Sequence, residues 1–123
     1  MRNLLLTAIL VSSSTLTAAE PTHKEAVAAL KKAVDFAQQN LAAGGGAYLW
    51  QYASDLKERE GEGKATATQG WCQPPGTPSV GEALLEAWLI SGEDFLLEAA
   101  RKTGHALAQT QLESGGWDYR LEF

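Results

Sequence analysis

The chain has 123 residues, of which 45% are hydrophobic, 20% charged and 8% aromatic, a composition typical of a single globular domain. Its 15 acidic side chains against 10 basic ones give a net charge of -5, which excludes the basic surface that binds nucleic acid or anionic lipid. One cysteine cannot form an internal disulfide, and with two distant histidines it cannot form a zinc site of the usual spacing.

Residues 1–19 have the pattern of a secretory signal peptide. Arg2 supplies a positive charge, residues 4–11 form an apolar run, and the small residues 17–19 precede Glu20. The alternative is a membrane anchor, but the run is shorter than the roughly 20 residues that cross a bilayer, and serines at 12–14 interrupt it. We therefore expect an exported protein, periplasmic or extracellular, without membrane insertion and with a mature chain of residues 20–123.

The first predicted helix begins near His23, because Thr22 and Glu25 can form a capping box. Apolar residues then recur every three or four positions until three glycines at 44–46 end the pattern. This apolar stripe comprises Val27, Leu30, Val34, Ala37 and Leu41. The predicted helix therefore buries one face.

The second and third predicted helices form an antiparallel hairpin. Thr77 is the expected cap of the second helix, with Pro78 at its first position, and Gly92 ends it. Apolar residues surround this helix, so we expect it to be the most buried segment of the chain. The third helix is predicted over residues 94–112, and the link at 91–93 is short enough to make the two helices neighbours.

The chain repeats itself at an offset of 71 residues without a gap. The matches include Ala37 with Ala108, Leu41 with Leu112, Gly44 with Gly115 and Tyr48 with Tyr119. In both copies the tyrosine begins an alternation of apolar and polar residues, which predicts a short strand. Chance explains a few identities in alanine-rich helices but not the glycines and the strand in register. We interpret the pattern as a duplicated unit of helix, Gly-Gly turn, strand, loop and outer helix.

The second copy of this unit stops at Phe123, within its predicted strand and before an outer helix. Repeat folds bury each unit against the next, so an unfinished unit leaves apolar faces open. We therefore expect the chain to be the first part of a longer helical array. The alternative is a small three-helix domain with a tail.

The helix that ends in Gln111 is followed by Gly115, Gly116 and Trp117. This motif resembles the unit ends of α/α-toroid proteins, which include the pectic acid lyases of polysaccharide lyase family ten and, more loosely, the squalene cyclase group. Residues 70–81 are similar to the turn into a helix of exported bacterial proteins of that lyase family. The resemblance spans residues 28–123. It implies an all-α fold made of the opening units of an α/α toroid, in which helical hairpins are joined by short Gly-Gly-Trp strands or turns.

The same resemblance implies β-elimination on an acidic polysaccharide such as pectate. In such lyases an arginine removes the proton next to the uronate carboxylate, while a cation, here calcium by resemblance, holds that carboxylate. An acidic protein that meets an acidic polymer needs such a bridging cation. Arg59 and Arg120 are the arginines near the predicted loop and strand, but the catalytic residues stay unassigned.

The long loop at 44–76 and the Gly-Gly-Trp turn contain the candidate substrate-binding residues. Flat aromatic faces can stack on sugar rings, and a guanidinium can pair with a carboxylate. The candidates are Trp50, Trp71, Trp117, Tyr119 and Arg120. Asp55, Lys57 and Arg59 are expected to add a hydrogen-bonding rim. The alternative is that the aromatic rings pack over the helix ends and the charged side chains are solvated.

The sequence is compatible with three function classes. The first is a pectate-lyase-like protein that is inactive as this chain alone. The second is a non-catalytic helical-repeat module that binds glycan or protein at the cell envelope. An isoprenoid cyclase is third, since the sequence has no Asp-x-Asp-Asp acid motif and export is unusual for that class. Cys72 is expected to be a buried or half-buried free thiol.

Overall fold

A computed structural model of the chain describes residues 19–123, so the predicted signal peptide lies outside the described residues except for Ala19. The described chain forms three helices and four short strands. In chain order these are α1 (His23–Asn40), β1 (Gln51–Tyr52), β2 (Arg59–Glu60), β3 (Gln69–Trp71), α2 (Thr77–Ser91), α3 (Asp94–Gln109) and β4 (Arg120–Glu122). No helix among residues 19–123 is long and apolar enough to cross a membrane.

The predicted all-α toroid is wrong, because the strands pair into two small antiparallel sheets. β1 pairs with β2, and β3 pairs with β4. The second pairing sets Gly70 opposite Leu121, so the segment after α3 returns to the segment before α2. Backbone polar groups that leave solvent need partners, and these connecting segments find them in one another. They therefore form sheets beside the helices instead of simple turns between helical hairpins.

The capping box at the start of α1 is confirmed. The Thr22 hydroxyl accepts a hydrogen bond from the Glu25 backbone N–H, and the Glu25 carboxylate accepts one from the Thr22 N–H at 2.8 Å. Hydrogen bonds from Thr22 lower the pKa of the Glu25 carboxyl. α1 ends at Asn40, before the glycines. None of its residues is fully buried, although Val34 packs against the core of the other two helices.

The predicted hairpin of α2 and α3 is confirmed, and it contains the main core. Leu84 of α2 packs with three buried residues of α3, which are Leu96, Ala99 and Ala100. Gly92 joins the helices with φ of 72°, a left-handed conformation that favours glycine.

The expectation that α2 is the most buried segment is wrong. Only Thr77 and Leu84 of α2 are fully buried, whereas five residues of α3 are. Leu89 is 74% exposed and Ile90 is 88% exposed. α2 packs on α3 through one face, and Leu85, Leu89 and Ile90 remain exposed.

Thr77 is the first residue of α2, whose N-cap is Gly76, so its predicted capping role is also wrong. The Thr77 hydroxyl instead accepts from the Tyr48 N–H at 2.9 Å and donates to the Tyr48 carbonyl at 3.1 Å. The Thr77 hydroxyl therefore binds Tyr48, 29 residues away in sequence, and not a backbone N–H of the first turn of α2 as a capping side chain would. Thr77 thereby fixes α2 to the segment that follows α1.

The two predicted copies of the repeat share a turn feature and differ in their tyrosines. Gly44 has φ of 53° and Gly115 has φ of 88°, so both turns use a left-handed glycine. Tyr48 is buried, whereas Tyr119 is 61% exposed, so the expected equivalence does not extend to the tyrosines.

Candidate functional site

The sheet of β3 and β4 positions most of the predicted substrate-binding residues. The Trp71 N–H donates to the Tyr48 carbonyl at 2.9 Å, and the Cys72 N–H donates to the Tyr119 carbonyl at 2.7 Å. Leu121, at the centre of β4, is buried against Ala47 and Ala106. A hydrophobic anchor and backbone pairing thus hold the C-terminal segment on the body of the protein.

Trp71 lies inside this arrangement, because only 4% of its surface is exposed. The Arg120 guanidinium lies 5.5 Å from the centre of the Trp71 ring, a cation–π contact. On another side the ring packs directly on Gly61, where no space remains for a Cβ atom. Trp71 therefore has no free face for a sugar ring and serves as a support for Arg120.

Trp50 is half-buried and packs edge-on against Trp71. Their ring centres are 6.0 Å apart, and the ring planes make an angle of 68°. The Trp50 indole N–H donates to the Gln73 carbonyl at 3.0 Å. For these two tryptophans the arrangement matches the alternative in which aromatic rings pack within the fold.

Trp117 lies at the surface on an ordered turn. The turn at 112–116 is closed by a hydrogen bond from the Leu112 N–H to the Gly116 carbonyl at 2.9 Å. The Trp117 indole N–H donates to the Leu107 carbonyl near the end of α3 at 2.8 Å, and 40% of the residue is exposed. A fixed, partly exposed indole loses little conformational freedom when a ligand packs against it.

Tyr119 and Arg120 follow Trp117 on the same segment. Both are exposed, and the Arg120 backbone pairs with Trp71 across the sheet. We name Trp117, Tyr119 and Arg120 the C-terminal aromatic surface. It combines two exposed rings with one guanidinium whose position the Trp71 ring restrains.

The predicted polar rim belongs to a separate hairpin formed by β1 and β2. Arg59 donates to the Leu56 carbonyl at 3.1 Å, and its guanidinium lies 5.7 Å from the centre of the Tyr52 ring. Lys57 and Asp55 form an exposed ion pair of 3.8 Å. β1 and β2 form a sheet separate from that of β3 and β4. Strand pairing therefore does not connect these residues to the C-terminal aromatic surface.

Three titratable groups in or beside the sheets have raised pKa values, and burial is the main cause for each, including Tyr52 of β1. Burial raises the pKa of Tyr48, and burial also raises the pKa of the Cys72 thiol. Cys72 is half-buried and free, in line with its prediction. A raised pKa disfavours the thiolate, which is the reactive form of cysteine.

The calcium ion implied by the resemblance requires a set of oxygen ligands. Within residues 19–123, no three or more His, Cys, Asp or Glu side chains lie together in a group that could hold a metal ion. Calcium therefore stays a prediction.

Comparisons of the chain with protein-family models, with curated proteins and with solved structures find no match. The lyase resemblance consequently rests on the Gly-Gly-Trp motif and on residues 70–81 of the sequence.

Proposed function

We propose that the protein binds an acidic polysaccharide, such as polygalacturonate, at the C-terminal aromatic surface. The observation that supports this proposal most is the exposure of Trp117 and Tyr119 immediately before Arg120. Aromatic faces complement the apolar faces of sugar rings, and the guanidinium fork complements a uronate carboxylate. Binding of this kind is common to both leading candidates, the lyase and the non-catalytic module.

Arg120 provides the polar part of this surface. No carboxylate of residues 19–123 forms an ion pair with it, and its position over Trp71 leaves its N–H groups free to meet a ligand. The net charge of -5 opposes an acidic polymer at long range. We therefore expect weak binding that strengthens with an added divalent cation, which bridges carboxylates of the protein and the polymer.

Calorimetric titration of the full chain with an oligogalacturonate tests the proposal. Trp117→Ala and Tyr119→Ala should each weaken binding by about tenfold or more, the usual effect of truncating an aromatic residue that dominates an interface. Phe36→Ala is the matched control, because Phe36 is an exposed ring on α1, 51% accessible, that lies outside this surface. Equal binding by all three variants would refute the proposal.

The lyase and the non-catalytic module differ in the chemistry after binding. For β-elimination, a base must reach the proton next to the carboxylate. Arg120 is restrained over Trp71, so its expected role is to hold the carboxylate rather than to remove a proton. We therefore expect this chain to bind polygalacturonate without forming the unsaturated product, as measured by ultraviolet absorbance with and without calcium. Turnover would favour the lyase and make Arg120 and Arg59 the first bases to test.

A further inference from the structure

A polar groove of about 620 Å³ lies between α1 and α3, apart from the C-terminal aromatic surface. Side chains of both helices line it, namely Asp35, Gln38 and Gln39 from α1 and Lys102, His105 and Gln109 from α3. Gly44 and Gly45, in the turn after α1, complete the lining. The volume is within the range of about 300–1,000 Å³ in which proteins bind small ligands.

We propose that this groove binds a neutral oligosaccharide. The chemistry of the lining supports this, because every side chain in it carries a group that forms hydrogen bonds. Three carboxamides, at residues 38, 39 and 109, each present both donors and an acceptor. A sugar hydroxyl also donates and accepts hydrogen bonds, so each hydroxyl can pair with one of these carboxamides.

The charge of the groove favours an uncharged ligand. Asp35 and Lys102 contribute one negative and one positive charge to the lining, which cancel. Asp35 is already bound by Lys31, with an Nζ to Oδ2 distance of 2.7 Å. Lys102 donates to the Gln38 side-chain carbonyl oxygen at 3.0 Å, which ties the two helices together across the groove. A charged ligand gains little from such a balanced lining, whereas an uncharged ligand meets no unpaired carboxylate.

Donors and acceptors of the groove are available to a ligand. Gln39, His105 and Gln109 are exposed to solvent. The backbone bonds of the glycine turn join Ala43 to Ala47 and leave the N–H groups of Gly44 and Gly45 without a backbone partner among residues 19–123. The Phe123 ring packs on Gly44. A Cβ at Gly45 would meet no atom within 4 Å, so the backbone at Gly45 is open to an approaching ligand.

Titration of the ¹⁵N-labelled full chain with cellotriose and with mannotriose tests the proposal. The amide signals of Gly44, Gly45 and Gln109 should move together with at least one neutral trisaccharide, and trigalacturonate should move them less. Gln109 lies two residues after Leu107, whose carbonyl accepts from the Trp117 indole N–H, so the Gly45 signal and the Trp117 indole signal separate the two proposals. Binding in the groove moves the Gly45 signal without the Trp117 signal, and binding at the C-terminal aromatic surface moves the Trp117 signal without the Gly45 signal. Unmoved groove signals with both neutral trisaccharides, or larger shifts with trigalacturonate, would overturn the proposal.

Two variants test whether the trisaccharide binds in the groove. His105→Ala and Gln109→Ala remove exposed side chains and should each weaken binding of the trisaccharide by about two- to tenfold, the usual effect of losing a neutral hydrogen bond. His23→Ala is the matched control, because His23 is also exposed and helical but does not line the groove. An affinity that falls equally in all three variants, or in none, would show that the groove is not the binding site.

Discussion

At the scale of single residues, tertiary contacts decide which aromatic rings can meet a ligand. Trp71 and Trp117 have the same chemistry, but Trp71 lies under Arg120 and against Gly61, whereas Trp117 is anchored through its indole N–H and stays 40% exposed. The sequence identified both as candidates because it shows residue types and not their burial. Only the placement of the neighbouring segments separates a supporting ring from an accessible one.

Thr77 offers a prediction at this scale. Thr77 is fully buried, and its hydroxyl accepts a hydrogen bond from the Tyr48 N–H. The Tyr48 carbonyl has a second partner, the Trp71 N–H, so it stays paired when the hydroxyl is removed. Thr77→Val therefore leaves one buried N–H unpaired and should lower the free energy of unfolding by about 1–3 kcal/mol. Chemical denaturation of the variant and the parent chain measures this loss.

Thr103→Val is the matched control for that substitution. Thr103 is as buried as Thr77, but its hydroxyl donates to the Ala99 carbonyl of its own helix, at 3.3 Å. That carbonyl belongs to the regular hydrogen-bonding pattern of α3, so the substitution leaves it paired. If Thr103→Val destabilises the chain as much as Thr77→Val, the hydrogen bond to Tyr48 has no special importance for stability.

At the scale of elements, local patterns predicted where helices lie better than what they contact. The capping box set the start of α1, and the short link predicted the hairpin of α2 and α3, because both depend on neighbours in sequence. The apolar surface of α2 did not predict its burial, since Leu89 and Ile90 remain exposed. The pairing of β3 with β4 joins Gln69 to Glu122, and such a distant register has no local signal.

The two faces of α2 should respond differently to truncation. Leu84 packs against Leu96, so Leu84→Ala should lower the free energy of unfolding by about 2–5 kcal/mol through loss of apolar contact and formation of a cavity. Leu89 is exposed on the same helix, and Leu89→Ala should change stability by less than about 0.5 kcal/mol. Thermal or denaturant unfolding compares the two. A large loss in Leu89→Ala would mean that this face is covered.

At the scale of the whole molecule, α3 connects two small cores. Its first part packs against α2 through Leu96 and Ala100, and Ala106 packs against Leu121 of β4. The first core supports the helices, and the second holds the C-terminal aromatic surface in place. The polar groove also depends on α3, although its lining residues lie on helices that are far apart in sequence, and for that reason the sequence did not reveal it.

The most direct test of binding at the C-terminal aromatic surface follows the indole N–H signals of the four tryptophans while an oligogalacturonate is added to the ¹⁵N-labelled full chain. Trp117 is on that surface, whereas Trp50 and Trp71 pack against each other within the fold. We predict that the Trp117 signal moves progressively with ligand and by the largest amount, while that of Trp88, which packs against the core of α2 and α3, stays in place. A Trp117 signal that does not move, or movement confined to Trp50 and Trp71, would contradict binding at this surface.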